Sequence, residues 1–338
     1  MEISRNIKIA ILFVCLIVSL DSIQAQQNIQ FTQYIFNELA VNPAYAGYKE
    51  EWYAQATHRI QWTGIDGAPT TTQVSIDGVT NEDTRNVGLG LQVTSDQLGA
   101  QFANSLYANY AYRLRLDEAD TRRLSLGIGA GITQYGIDGS KLSAVSSNDI
   151  ALFQNSESSF IPDVRVGIYY TGQKWYIGLS AMDLLSSYYS NNLMNWDLAD
   201  STQNVIRKRH YYLITGGLFD LSEYTRFRPS LLWKEDLKGP SVMDLSAMFI
   251  FDNKFWVGAS YRTGINLWSK KYAENQSLTS LNAVCGIVQF VVNDNFRIGY
   301  SYDYTLNSLG FYQLGTHEVT LGYFFRKKSK RVLSPRFF

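Results

Sequence analysis

The residues best suited to chemistry are three histidines, His58, His210 and His317, two cysteines, and thirty carboxylates set against thirty Lys and Arg. A metal site on one element needs ligands a few residues apart, and these histidines lie far apart with no paired spacing, so they read as wall side chains. Acid–base catalysis needs two carboxylates sharing a site, and a nucleophile needs a base at a motif spacing. The sequence shows no such pairing on a likely inward face and no such motif. Gly127, Gly129 and Gly131 imitate a phosphate loop, but they alternate within an extended run and introduce no helix. They read as residues that make room inside a wall. The expectation is a chain with no catalytic residues, no cofactor and no metal. An active site that folding assembles from a distant Ser and His, as in a membrane-embedded lipid hydrolase, stays open at this level.

The elements carrying these residues belong to an exported chain. Arg5 and Lys8 precede an apolar run from Ile9 to Leu20 that ends near Ala25, the pattern of a secretory signal peptide over 1-25. Cys15 lies inside that run and is followed by Leu16, which disfavours a lipid anchor. Cys285 is then the single mature thiol, so no intrachain disulfide staples the fold. The even charge balance argues against a surface that attracts nucleic acid. Aromatic residues make up 14% of the chain, with 23 Tyr, and no mature segment approaches the roughly 18 to 20 apolar residues of a membrane helix.

Hydrophobic periodicity decides the class. In "VGLGLQV" Val87, Leu89, Leu91 and Val93 oppose Gly88, Gly90 and Gln92. In "LSLGIGAGIT" Leu124, Leu126, Ile128, Ala130 and Ile132 oppose smaller residues, and "FRIGYSYDY" repeats the pattern from Phe296 to Tyr304. A period of two belongs to strands with one greasy face. Such runs fall near 53-63, 70-79, 86-95, 101-114, 122-134, 163-172, 174-183, 208-219, 224-234, 241-252, 254-263, 280-292, 296-305 and 316-325, an even set of fourteen. The run at 280-292 is the least regular, with apolar residues on both faces. Even-numbered gaps close with short turns such as "TNEDTRN", "TGQ" and "NDN", whereas the long gaps, 135 to 162, 184 to 207 and 264 to 279, are all odd-numbered. That layout predicts an all-β transmembrane antiparallel β-barrel of about 14 strands, over 53-325, with short periplasmic turns and long extracellular loops. A secreted β-sandwich or solenoid has no reason to sort its loops by parity. Fourteen strands enclose more space than wall side chains readily fill, so something else must occupy the lumen or its mouth.

The candidate is "QFTQYIFNELAVNPAYAG", residues 30 to 47, within a lead-in over 26-52. Phe31, Ile35 and Leu39 lie four apart, as on one face of a short helix, and Asn42-Pro43 would end it with a turn. This stretch, followed by "RIQWTGIDGAPTTTQVSID", closely resembles the amino-terminal signature of the PorP/SprF family of type IX secretion system outer-membrane proteins. The resemblance continues through "PDVRVGIYY", "WYIGLSAMDLL", "RHYYLITGGLF", "RPSLLWKED", "KFWVGASYRTG" and "GTHEVTLGYFF". It covers essentially the whole mature chain, with the long loops the variable part.

The resemblance implies a barrel in the outer membrane of a Gram-negative bacterium that carries no chemistry of its own. Its implied partners are secretion components, outer-membrane lipid, and an exported surface protein, such as an adhesin of gliding motility, engaged through its carboxy-terminal domain. The "NPA" after an amphipathic start also looks like the hatch of FadL-type barrels, which makes Phe31, Tyr34, Ile35, Phe36, Leu39, Asn42 and Pro43 candidate lumen-hatch residues; the alternative is a lead-in packed across the rim. In the first outer turn, Trp62, Gly64, Asp66, Gly67 and Pro69 read equally as a partner contact and as a turn chosen for its backbone angles. Trp62, Trp175, Trp233, Trp256 and Trp268 suit an interfacial aromatic girdle. The tail over 326-338 gathers Arg326, Lys327, Lys328, Lys330 and Arg331, a candidate basic handle or a solvated stop, and an even strand count puts it on the same side as the amino terminus. Competing roles are an anchor for the periplasmic machinery and a FadL-like or porin channel for small molecules.

Overall fold

The computed structural model describes residues 31–141, 157–185, 209–237, 241–265 and 282–326, with two short strand pieces at 197–198 and 201–202 that pair with each other. Fourteen long strands follow one another as β1 (Tyr53–Ile60), β2 (Thr70–Val79), β3 (Val87–Leu98), β4 (Gln101–Arg115), β5 (Arg123–Ile137), β6 (Glu157–Thr171) and β7 (Trp175–Met182). The second half comprises β8 (His210–Gly217), β9 (Thr225–Glu235), β10 (Ser241–Phe251), β11 (Phe255–Ile265), β12 (Ala283–Val291), β13 (Phe296–Thr305) and β14 (Thr316–Phe324).

Each strand pairs antiparallel with its sequence neighbours, and β1 also pairs with β14, Tyr53 lying opposite Phe324. The sheet has therefore no free edge. In hydrocarbon, where no solvent takes up an unpaired N–H or C=O, closure is what makes a sheet viable. The side-chain period sorts the two faces. Leu89, Leu91 and Val93 of β3 point outward and are exposed, while Gly90, Gln92 and Thr94 between them are buried. Ile128 on β5 is 50% exposed and Gly129 is buried. An apolar outside around a polar inside is the inverse of a soluble protein and fits a barrel in lipid. No helix among the described residues is long and apolar enough to cross a membrane.

Two elements depart from the periodicity reading in their bounds, and a third, β12, has the expected apolar residues on both faces. β6 starts at Glu157, running through Pro162, which pairs opposite Ile132; proline discourages a strand assignment, but here Tyr135 and Ile161 pack together on the inner face and carry the hairpin farther out. β8 stops at Gly217, and the pairing resumes for two residues at Phe219–Asp220. In β12, Ala283, Cys285 and Ile287 point inward and are buried. That inner face is apolar because the lumen beside it is not filled with water.

Candidate functional site

Going back from Tyr53 at the periplasmic end of β1, the chain turns at Glu50 (φ 62°) and Gly47 (φ 75°) and enters the barrel. Residues 31–48 are buried almost throughout. They form three short 3-10 turns, Tyr34–Phe36, Glu38–Ala40 and Pro43–Tyr45. This replaces the single helical face expected from the spacing of Phe31, Ile35 and Leu39. Wall surrounds the segment on every side, so it has no wet face, and Tyr34 and Phe36 are as buried as the three spaced residues.

On one side the wall is cut away to receive it. Gly88, Ala111, Gly127, Gly167 and Ser180 are successive cross-strand partners on β3, β4, β5, β6 and β7, so they form one row of small residues around five strands. Residues 42–47 lie along that row. A side-chain carbon added at Gly88 would sit 1.9 Å from the Ala46 carbonyl oxygen, one at Gly127 2.2 Å from the Ala44 nitrogen, and one at Gly167 2.1 Å from Asn42. The glycines are required for backbone to meet backbone. Asn42 uses the closeness: its Oδ1 accepts from Ala44 N at 2.9 Å, and its Nδ2 donates to the carbonyls of Ile168 and Leu179 at 3.1 and 3.2 Å. Ser180 donates its hydroxyl to the Val41 carbonyl. Gly129 and Gly131 have a different function, leaving room for the side chains of Asn109 and Tyr107.

On the opposite wall the hold is ionic. Glu318 of β14 accepts the Thr32 and Gln33 backbone N–H groups on its two carboxylate oxygens, at 2.8 and 2.9 Å. Arg59 of β1 bridges Glu318 and Asp303, both at 2.9 Å, and donates to Thr32 Oγ1 at 2.6 Å. Arg262 joins Asp303 to Asp244, and Lys234 lies 3.6 Å from Asp244. Three cations and three carboxylates thus balance inside the lumen, buried charges being tolerable only when paired. The carboxylates Asp303 and Glu318 share an inward face, a proximity that the sequence reading does not identify. Cross-strand pairing opposes Glu318 to Ser301, one step along β13 from Asp303, an adjacency that a single strand's sequence does not reveal. Each is neutralised by Arg59 and aimed at the segment, not arranged as an acid and base.

Between the two walls, Glu38 takes a hydrogen bond from the Tyr169 hydroxyl at 2.5 Å and an ion pair from Arg228 at 3.3 Å. The Tyr34 hydroxyl lies 3.1 Å from both Ser230 Oγ and Ser246 Oγ, and Asn37 donates to Gln73. Phe36 packs edge-on against Trp256, with ring centroids 5.5 Å apart. Trp256 is completely buried, so it belongs to the lumen and not to an aromatic girdle, and its ring neighbour there is Phe36 of the segment. Trp175 is exposed on the outside, Trp233 points outward half-buried, and Trp268 lies outside the described residues. A cavity of about 50 Å³ remains between the segment and the outer half of the wall, lined in part by Phe31, Asn37, Arg165 and Lys234.

The first outer turn has the geometry its glycines require. Gly64 and Gly67 take φ of 97° and 72°, a region closed to most side chains, and Trp62 takes 51°. Gly67 O accepts from Gly99 N, Pro69 O from Gln61 N, and Asp66 is exposed at the tip. At the other end, Arg326 pairs with Glu51 at 2.9 Å, so it is a tether to the entry of the segment; Lys327, Lys328, Lys330 and Arg331 lie outside the described residues. The described amino end, clamped near the outer ends of β1 and β14, lies at the opposite end of the barrel from Arg326. Residues 1–30, whose side strand parity is expected to set, lie outside the described residues. His58 and His317 sit on the outer wall, hydrogen-bonded to Thr72 and Tyr300, and His210 faces Asp183.

The model of the type IX secretion system membrane protein PorP/SprF matches residues 23–323. Among solved structures, the chain is similar to a CymD monoaromatic hydrocarbon channel, with 12% identity, a TM-score of 0.52, and coverage of 91% of this chain and 96% of that one. It is also similar to the Acinetobacter baumannii outer membrane protein Omp33, with 7% identity, a TM-score of 0.44, and coverage of 82% and 98%. Among curated proteins there is no significant match. The chain belongs to the PorP/SprF family and is an outer-membrane β-barrel.

Proposed function

We propose that this PorP/SprF barrel is a non-enzymatic accessory of the type IX secretion system that supports export and surface attachment of a partner protein, such as an adhesin, engaged through its carboxy-terminal domain. The observation that carries the reading is the occupied lumen. The barrel's own residues 31–48 fill it, bonded to β1, β2, β6, β7, β9, β13 and β14. A hatch of this kind removes the open path that a porin needs and leaves the rim and the outer loops as working surfaces.

Two further roles separate from this one by experiment. A small-molecule channel of FadL or porin type requires conductance. An anchor for the periplasmic machinery requires capture of periplasmic components at the short-turn end, where Arg326 is engaged with Glu51. For the accessory role, a photoreactive amino acid at Asp66, on the exposed outer turn, should crosslink an exported surface protein in living cells. Consistent failure to enrich any exported protein from Asp66 and from the neighbouring outer loops overturns it.

A further inference from the structure

The connection between β13 and β14, residues 306–315, reads "LNSLGFYQLG" and contains no charged residue. Four of its side chains are strongly exposed: Phe311 at 90%, Tyr312 at 76%, Leu314 at 72% and Leu306 at 51%. The loop is fastened in place. Leu314 N donates to Thr63 O at 2.7 Å, Gly315 O accepts from Thr63 N at 2.8 Å, Leu306 N donates to Asn282 O at 2.9 Å, and Asn307 Oδ1 caps Leu309 N at 3.0 Å. Apolar groups held out on an ordered scaffold mark a contact surface.

The direction in which the loop leans identifies the contact. Tyr300, Tyr302 and Tyr304 alternate on the outer, lipid-facing side of β13, with Tyr300 and Tyr304 exposed. The Tyr302 hydroxyl donates to the Leu314 carbonyl at 3.1 Å, and a side chain at Gly315 (φ 98°) would strike the Tyr302 ring. The end of the loop thus rests on the outside of the wall, continuous with the lipid-facing tyrosines, and not over the lumen. We propose that residues 306–315 form a foot that lies in the outer leaflet, with Phe311, Tyr312 and Leu314 at the boundary between headgroups and acyl chains. Aromatic and aliphatic side chains without charge are what that boundary accepts. Through the Thr63 bonds the foot also fixes the height of the outer turn carrying Asp66 above the membrane. The inference depends on the outer-membrane barrel alone and not on the export role.

The test uses a spin label at Phe311→Cys and, separately, at Asp66→Cys in the full-length protein reconstituted in bilayers; the native Cys285 is buried. Phe311 is almost fully exposed and the change is tolerable, and heat-modifiable migration on gels verifies folding. The label at 311 should collide more often with oxygen, which concentrates in lipid, than with a water-soluble nickel chelate. The label at 66 should show the opposite order. Nickel access at 311 equal to that at 66 overturns the proposal. A label at 311 that is nickel-accessible in pure bilayers and shielded only in native membranes also overturns it, and assigns the loop to a protein partner.

Discussion

One short segment is gripped by two walls that use different physics. Along β3 to β7 the hold is steric, a row of Gly88, Ala111, Gly127, Gly167 and Ser180 that lets residues 42–47 approach backbone to backbone. Along β1, β13 and β14 it is electrostatic, with Glu318 receiving two backbone N–H groups and Arg59 binding the same site. A steric seat is all or nothing, because added volume has nowhere to go in close packing. A charged clamp is graded, because each partner removed leaves the others in place. The lumen thus combines a mould for shape with a set of charges for position.

The largest expected effect follows from the mould. Gly127→Leu should expel residues 42–47 from their seat, since its first added carbon already falls within 2.2 Å of Ala44, while the outward face of β5 is unchanged. Hydrogen exchange should show protection lost over 42–47 and retained in the strands and at Thr32 and Gln33; protection kept over 42–47 would break the comparison. Glu318→Gln should be milder and local. Weakening a buried ion pair costs roughly 3 to 5 kcal/mol when one partner goes entirely, and here Asp303 still pairs with Arg59. The Thr32 and Gln33 amides should exchange faster while Ala44 and Ala46 stay protected. Equal loosening at both ends would mean that the two grips are one cooperative unit.

The strands were legible because lipid-facing Leu, Val and Ile alternate with small and polar residues, a pattern each strand carries by itself. The row of small residues was not, since it runs across strands and exists only once registers place Ala111 between Gly88 and Gly127. The clamp was half visible: Asp303 alternates with the outward tyrosines of β13 and could be placed inside, but its meeting with Arg59 needs the β1–β14 closure that joins the two ends of the chain. Trp256 illustrates the limit best. A Trp near a strand end resembles a girdle residue, but alternation along β11 sets Trp256 on the inner face with Ser260 and Arg262, and the partner that covers it there, Phe36, is far away in sequence.

Two smaller effects sharpen the contrast between wall and lumen. Ile128→Arg, on the lipid side, should cost roughly 2 to 4 kcal/mol near the bilayer midplane and impair assembly. Gly129→Ser should be tolerated, because the added atom meets the movable end of Asn109; comparable assembly defects for the pair would mean that the facing is wrong. Least of all, Glu51→Gln removes the partly exposed pair with Arg326. A pair of that kind contributes about 0.2 to 1 kcal/mol, so the midpoint of unfolding should barely move, and a large shift would make this tether a principal support of the segment.

We propose that the barrel, its lumen occupied by its own residues 31–48, works through its surfaces and not as a pore. Single-channel conductance in planar bilayers tests it most directly, comparing the wild-type protein with Gly127→Leu, each first shown to be folded by heat-modifiable migration. The account predicts a nearly silent wild type and steady currents from the variant. Steady open-pore currents from the wild type, unchanged in the variant, would contradict it.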